Sequence, residues 1–368
     1  MTVNRIAFYA PLKPIDHPTP SGDRLMARLL VSCLINAGFD VDIASHLRAF
    51  IKRPDGLKEK NELEEQAEIE ISRLQRLWDS SQAPDLWFSY HPYFKSPDLI
   101  GPRLCEIFDI PYVTAEASYS ARRELGVWAN TQRHVLRSLE MAAVNICFTR
   151  RDQEGIAQAS SIARLVRLRP FIDVNHYETV KKQPECAHLV VVAMMRAGDK
   201  LTSYTHLART LKTLQHIPWT LSIVGDGKQH QEVRACFAAV DEQRITWHGQ
   251  LEHNQIVELF SHCSLYVWPG CGEAYGLAYL EAQAAGLPVV AFNTAGVAEV
   301  VCHQKTGILT PAGDETAYAS AIAELLIDSN QLERLSRNAQ EHVRREHSQQ
   351  SAGAKLKSVI DSCSREAI

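Results

Sequence analysis

Leu265-Tyr-Val-Trp-Pro-Gly-Cys-Gly-Glu-Ala-Tyr-Gly-Leu-Ala-Tyr-Leu-Glu281 runs from a β-prone apolar stretch, through a glycine-rich loop, into a helical pattern that reads on to Gly286. Strand, loop and helix in that order are the opening of a βαβ unit. The helix should begin near Gly276. The first backbone N–H groups of a helix have no partner inside it, so they face the loop, where a phosphate or another anion can sit. Glu273 stands at the loop edge, and Glu281 falls more than a turn into the helix. An anion site between two hydrogen-bond acceptors suits a sugar attached to a nucleoside diphosphate.

The same rhythm extends in both directions. Ile6–Ala10, Val41–Ala44, Leu86–Tyr90, Tyr112–Ala115 and Val144–Phe148 read as strands separated by helical stretches. The series restarts with Leu189–Met195, Thr220–Val224, Ile245–His248, Leu265–Trp268 and Val289–Phe292. Alternation of this kind predicts α/β structure with parallel sheets covered by helices on both faces. Two domains are expected, 1–183 and 184–349, joined at the polar stretch Val180-Lys-Lys-Gln-Pro-Glu185, with the chain helical from Asp314 onward. The first helix should bury Leu25, Leu29, Leu30, Cys33 and Leu34 and stop at Gly38. Residues 57–78, rich in Glu and Lys, read as a solvated surface helix carrying Leu63, Ile69, Leu74 and Leu77.

Bulk properties narrow the function. Hydrophobic residues make up 45% and charged residues 22% of 368, an ordinary globular balance. A net charge of -4 argues against a nucleic-acid partner. No apolar run approaches the ~20 residues that span a bilayer, and Met1-Thr-Val-Asn-Arg-Ile-Ala-Phe8 lacks signal-peptide organisation. The nine cysteines form no Cys-x-x-Cys pair; Cys33, Cys147 and Cys263 sit in apolar settings. A cytoplasmic location is expected.

The run from Glu273 to Glu281 resembles the Glu-x7-Glu motif of retaining glycosyltransferases with the GT-B fold, family 4. The resemblance continues through Glu281-Ala-Gln-Ala-Ala-Gly-Leu-Pro-Val-Val-Ala291, Gly296-Val-Ala-Glu299 and Lys305-Thr-Gly-Ile308. It implies two Rossmann-like domains facing a central cleft, an acceptor domain followed by a nucleotide-sugar domain, with a last helix (350–368) crossing back onto the first. It implies that Glu281 holds the ribose hydroxyls, and that Glu273 with Ala274–Leu277 holds the transferred sugar and phosphate. Arg196 and Lys200 would neutralise the leaving diphosphate, one residue closer together than in the family. Gly225-Asp226-Gly227 resembles a turn found near the nucleotide, and is physically a βα turn first. Ser21-Gly22 stands where the family has a Gly-Gly pair that approaches the diphosphate; Ser21 can instead cap the helix. Lys13, Asp23 and Arg24 are further candidates beside the cleft.

Two residues of the first half end strands and should line that cleft. His91 follows Leu86–Tyr90, and Glu116 follows Tyr112–Ala115, where the family commonly has His. A carboxylate there can accept sugar hydroxyls, stabilise positive charge on an oxocarbenium-like carbon, or take the acceptor's proton. It can equally pair with Arg122 or Arg123. Asp40-Val-Asp42 matches a metal-binding Asp-x-Asp pattern but starts a strand, away from the cleft, so no metal site and no cofactor are expected. Ser45-His-Leu-Arg-Ala-Phe-Ile-Lys-Arg53 is basic and amphipathic, which allows at most peripheral membrane contact. The expected activity is metal-independent, retaining transfer from a nucleotide-diphosphate sugar to an acceptor that is a saccharide, a lipid-linked sugar or a small molecule. The alternatives are a catalytically silent sugar-nucleotide-binding subunit, or another GT-B enzyme such as a nucleotide-sugar epimerase.

Overall fold

The computed structural model describes residues 3–19, 21–178, 183, 185 and 187–363. The chain forms two compact units, Met1–Arg169 with Gln350–Ile368, and Pro170–Gln349. The boundary expected at 183/184 therefore lies inside the second unit. The stretch expected as the linker falls, apart from Gln183 and Glu185, outside the described residues.

The first unit holds one six-stranded parallel sheet: β1 (Arg5–Tyr9), β2 (Asp40–Ser45), β3 (Leu86–Tyr90), β4 (Tyr112–Ala115), β5 (Val144–Cys147) and β6 (Leu165–Arg167). Their spatial order is β2-β1-β3-β4-β5-β6. The central strands β3, β4 and β5 are buried along their whole length, while the edge strands β2 and β6 are partly exposed. That grading explains their largely apolar sequences, since a strand covered on both faces is near-continuously apolar, with the buried Thr114 and Asn145 hydrogen-bonded to each other at 2.7 Å. β6 escaped the sequence reading because it is three half-exposed residues at an edge.

Two helices turn differently from expectation. Gly22–Asn36 buries Met26, Ala27, Leu30, Cys33 and Leu34, leaving Leu25 exposed. Leu57–Asp79 is not simply a solvated helix. Leu63, Ala67, Ile71, Leu74 and Trp78, at spacings of three and four, form a buried face, and Ile69 and Leu77 point outward. The C-terminal helix Gln349–Cys363 buries Ala352, Leu356 and Ile360 and sets Gly353 against Cys33.

The second unit holds β7 (His188–Val192), β8 (Thr220–Val224), β9 (Ile245–Gly249), β10 (Leu265–Val267), β11 (Val289–Asn293) and β12 (Gly307–Pro311), all parallel. Their order is β12-β11-β10-β7-β8-β9. Counted within the unit this is 3-2-1-4-5-6, the dinucleotide-fold order. β12 was not expected as a strand; Pro311 is tolerated because β12 is an edge. Helices Glu315–Ile327 and Ser329–Glu346 follow, capped by Asp314 and Asp328.

Strand order locates the ligand positions. The chain reverses direction of growth between β1 and β3 in the first sheet, and between β7 and β10 in the second. Ligands of open parallel sheets bind beyond the carboxyl ends of the strands at such reversals. No helix among the described residues is long and apolar enough to cross a membrane.

Candidate active site

In the second unit the reversal is flanked by the loops after β7 and β10. The β10 loop ends at Gly276, whose φ of 82° caps the helix Leu277–Ala284; a Cβ there would run into the Tyr279 ring. The helix begins at Leu277, so Ala274, Tyr275 and Gly276 belong to the loop before it. Glu273 Oε1 accepts from Trp268 Nε1 at 3.0 Å and meets the Lys200 ammonium. Lys200 begins the helix Asp199–Thr213 after β7, and its Nζ lies 5.4 Å from the Trp268 ring centroid. Lys200, Glu273 and Trp268 thus link the two loops of the reversal. Arg196 stands exposed at the start of the β7 loop. Gly225, at φ 139°, lies so close to Ala193 that a Cβ would strike its carbonyl, and Met195 N donates to Asp226 O at 2.9 Å. The observed work of this turn is to close the β8 loop onto the β7 loop.

Glu281, partly exposed, differs from the fully buried carboxylate Asp98. Asp98, in the first unit, accepts from Ile100 N and Gly101 N on one oxygen and from Trp87 Nε1 and Tyr112 OH on the other. Glu281 accepts no hydrogen bond among the described residues, and burial alone pushes its carboxyl up to about 7. Its charge reaches Tyr177, whose buried hydroxyl also lacks a hydrogen-bond partner among those residues. Tyr177 was missed by the sequence reading. It lies in the four-residue helix Asn175–Glu178, where no motif marks it.

In the first unit the reversal gathers Asp23, His91, Glu116 and Asp152. His91 and Glu116 follow β3 and β4, and both adopt the left-handed backbone, φ 59° and 56°. For non-glycine residues that costs about 1–2 kcal/mol each, and such strain concentrates at functional sites. Hydrogen bonds hold both turns: His91 N to Ala115 O and Glu116 N to Ile146 O, each 2.8 Å. Tyr90 OH donates to Glu116 Oε2 at 2.7 Å; Arg122 and Arg123 lie on a separate turn, Ala121–Arg123.

The electrostatics of this group are coupled. Burial pushes the Glu116 carboxyl up to about 7, against the pull of His91 and Tyr90. Burial works against a charged His91, yet Glu116 and Asp23 together hold the imidazole up at about 9. His91 Nδ1 lies 3.3 Å from Asp23 Oδ1, an ion-pair contact without the alignment of a hydrogen bond. Asp23 is partly exposed; its partial burial pushes the carboxyl up, but His91 and then Lys13 hold it below the usual range. Asp152 was not singled out in the sequence. It sits in the first turn after β5, where Thr149 caps the helix and donates to its Oδ2 at 2.5 Å. The Thr-x-x-Asp spacing after a strand was its available signal.

The remaining candidates support the loop. Ser21 caps the first helix, accepting from Arg24 N at 3.2 Å. Gly22 has open space where a Cβ would stand. Arg24 donates to His17 O at 2.6 Å and so folds the β1 loop. Asp42 pairs with Arg5 at 2.9 Å at the amino end of its strand.

Residues 188–342 match the family model described as glycosyl transferases group 1. A glycogen synthase of Mycobacterium tuberculosis is 25% identical over 298 residues, covering 74% of this chain and 67% of that protein. Sucrose-phosphate synthase from Thermosynechococcus elongatus superposes with a TM-score of 0.75 at 18% identity, over 99% of this chain and 100% of that one. Anabaena HepE in complex with UDP gives 0.72 at 16% identity, over 97% and 100%, and its complex with UDP-glucose gives 0.69. The fold, two six-stranded parallel sheets each with a reversal of strand order, is the GT-B fold of these solved structures. The similarity to glycosyl transferases group 1 lies within the second unit.

Proposed function

We propose that this glycosyltransferase moves a sugar, with retained anomeric configuration and without a metal, from a nucleoside diphosphate sugar bound by the second unit to an acceptor bound by the first. The observation that carries the donor reading is Glu281: a half-buried carboxyl that accepts no hydrogen bond among the described residues has a strong reason to receive hydroxyl donors. The ribose 2′- and 3′-hydroxyls are such donors. The diphosphate then lies at the start of Leu277–Ala284, where helix amides meet negative charge. The complexes of HepE with UDP and UDP-glucose favour a uridine donor.

In the transfer, the bond between the anomeric carbon and the phosphate oxygen breaks, and the diphosphate keeps the electron pair. The acceptor oxygen bonds to the same carbon, and its hydroxyl proton passes to the departing phosphate oxygen. Arg196 and Lys200 stabilise the charge developing on the diphosphate, and Glu273 holds both Lys200 and the transferred sugar. Glu116, tuned close to neutrality, accepts hydroxyls on the acceptor side or stabilises positive charge at the anomeric carbon. His91 and Tyr90 orient it.

The test is a thermal-shift screen against UDP-, GDP-, ADP- and TDP-sugars, followed by transfer assays with and without EDTA and NMR of the product anomer. A ligand at 100 times its dissociation constant stabilises by about 2.7 kcal/mol. UDP-glucose should give the largest shift, and EDTA should leave transfer intact. No shift with any nucleotide sugar overturns the donor site; loss with EDTA restored by manganese overturns the metal-free mechanism; an inverted product overturns retention. Glu116 in place of the family's His, and the single glycine at 22, favour a second reading, a silent binding subunit. Donor binding without turnover by the isolated chain is its signature.

A further inference from the structure

We infer that β9 and the helix after it, His253–His262, form an acid-labile element: below neutral pH the histidines that hold it at both ends become charged and release it. β9 is the edge strand of its sheet, next to β8, so side chains decide how firmly it stays. Two imidazoles share one hydroxyl there. Ser222 of β8 is buried, and its Oγ lies 2.9 Å from Nε2 of His188 on β7 and 3.0 Å from Nε2 of His248 on β9. A serine hydroxyl has one proton to give and two lone pairs to offer. With both rings neutral, one ring takes that proton and the other donates to the oxygen, which ties three strands together. With both rings charged, both N–H groups aim at the same oxygen and the hydroxyl proton loses its acceptor. Two like charges then stand within about 6 Å, where each disfavours the other.

The surroundings do little to offset this. Glu185 Oε2 stands 3.4 Å from His188 Nδ1, but its side chain is 65% exposed. His262 ends the helix; its backbone carbonyl accepts from Glu185 N at 2.8 Å, and its ring adds a third titratable group beside His188. The fixed charges near β9 are positive: Arg234 lies 4.8 Å from the Trp247 ring and Arg244 5.0 Å from that of Trp219. Burial pushes both the His188 and the His248 imidazole down, with Glu185 opposing at His188. The other end of the helix repeats the arrangement. The His253 ring lies 4.9 Å from His176 and 5.8 Å from Tyr177. Partial burial and then His176 push the His253 imidazole down, while Asp173, 3.8 Å from His176 Nε2, pulls the other way. Glu252 caps this end together with Gln255, and Glu258 is exposed farther along.

An imidazole held below the ordinary 6.5 is neutral in the closed element and takes a proton once the element opens. Its contribution is complete above pH 6.5 and is lost as pH falls through the lower folded value. At pH 5.5 each such histidine favours the open form by up to about tenfold. Glu281, raised by burial, acts with the opposite sign, since acid neutralises it. The helix starts beside Tyr177, which feels the charge of Glu281, so its release loosens the unit on the side of that carboxyl. Only this consequence for the donor rests on the transferase reading.

The experiment is hydrogen exchange of the full chain, read by mass spectrometry at pH 7.5 and 5.5 and corrected for the intrinsic exchange rate, with β11 as internal reference. Peptides covering 245–262 should exchange about tenfold or more faster at pH 5.5 while β11 stays unchanged. His188→Gln with His248→Gln, which places neutral amides of similar reach, should remove most of that acceleration; cooperative far-UV melting at pH 7.5 shows that the variant is folded. No acceleration in the wild type, equal acceleration in β11, or an acceleration that the double variant keeps in full overturns the inference. Where the double variant does not melt cooperatively, NMR titration of the wild type with labelled histidine decides, each ring assigned through its single variant. His188 and His248 should then titrate below pH 6.5 in two separate steps, and titration at 6.5 or above overturns the inference. No nucleotide enters these measurements, so their outcome stands apart from that of the donor site.

Discussion

Glu281→Gln should stabilise the unliganded protein and impair its donor binding together. The carboxyl is held up from 4.5 to about 7 by burial alone. At about 1.4 kcal/mol for each tenfold in proton affinity, ionising it in the folded chain costs up to about 3 kcal/mol. A raised carboxyl contributes stability that is fully present below pH 4.5 and lost as pH rises through about 7. Wild type and variant should therefore melt together near pH 4.5 and diverge by pH 8. There the neutral amide avoids the buried charge. In a unit of this size about 3 kcal/mol corresponds to roughly 6–12 °C in melting temperature. Calorimetric titration with UDP should show weakening by about tenfold or more, since a charged acceptor contributes about 1.5–3 kcal/mol to its hydrogen bonds. Scanning calorimetry at the two pH values, paired with that titration, is the assay. A variant no more stable than wild type at pH 8 refutes the buried-charge argument, and unchanged UDP affinity refutes the ribose role.

Lys200→Ala leaves Glu273 without its cation and should cost about 1–3 kcal/mol in stability, read by urea unfolding. Adding Glu273→Gln should recover that stability without recovering transfer. Glu116→Gln should keep UDP affinity and reduce transfer by ~10²–10⁴-fold; transfer at the wild-type rate would make Glu116 a structural residue. The transfer rate should rise as Glu116 ionises through about pH 7 and fall as His91 loses its proton near pH 9. In stability terms, the ion pair of His91 is fully present below pH 6.5 and lost as pH rises through about 9. Asp23→Asn should move the falling limb to lower pH, and an unmoved limb would detach Asp23 from His91.

The loop Pro269–Gly276 and the helix after it were legible because their signals are local: glycines where the backbone needs positive φ, then a helical apolar pattern. Ser21 as a cap was legible for the same reason. The buried face of Leu57–Asp79 was harder. The run contains apolar residues on more than one side, and only packing decides that Ile71 and Trp78 go in while Ile69 and Leu77 stay out. The short edge strands β6 and β12 were invisible because neither alternation nor an apolar run develops in so few half-exposed residues. Tyr177 carries no motif and Asp152 only the local Thr-x-x-Asp spacing; their interest lies in what surrounds them.

The sequence by itself determined the α/β rhythm, the ends of most strands, and the chemical types presented in each loop, since these depend on neighbours a few residues away. Tertiary structure decided the strand orders β2-β1-β3 and β10-β7-β8, and hence which loops meet at each reversal. It brought Lys200 to Glu273 across 73 residues of chain, and Asp23 to His91 at 3.3 Å. It also decided the protonation of Glu116, His91 and Glu281. A carboxyl's pKa follows from its burial and from charges that only folding brings near, and no pattern along the chain encodes that distance.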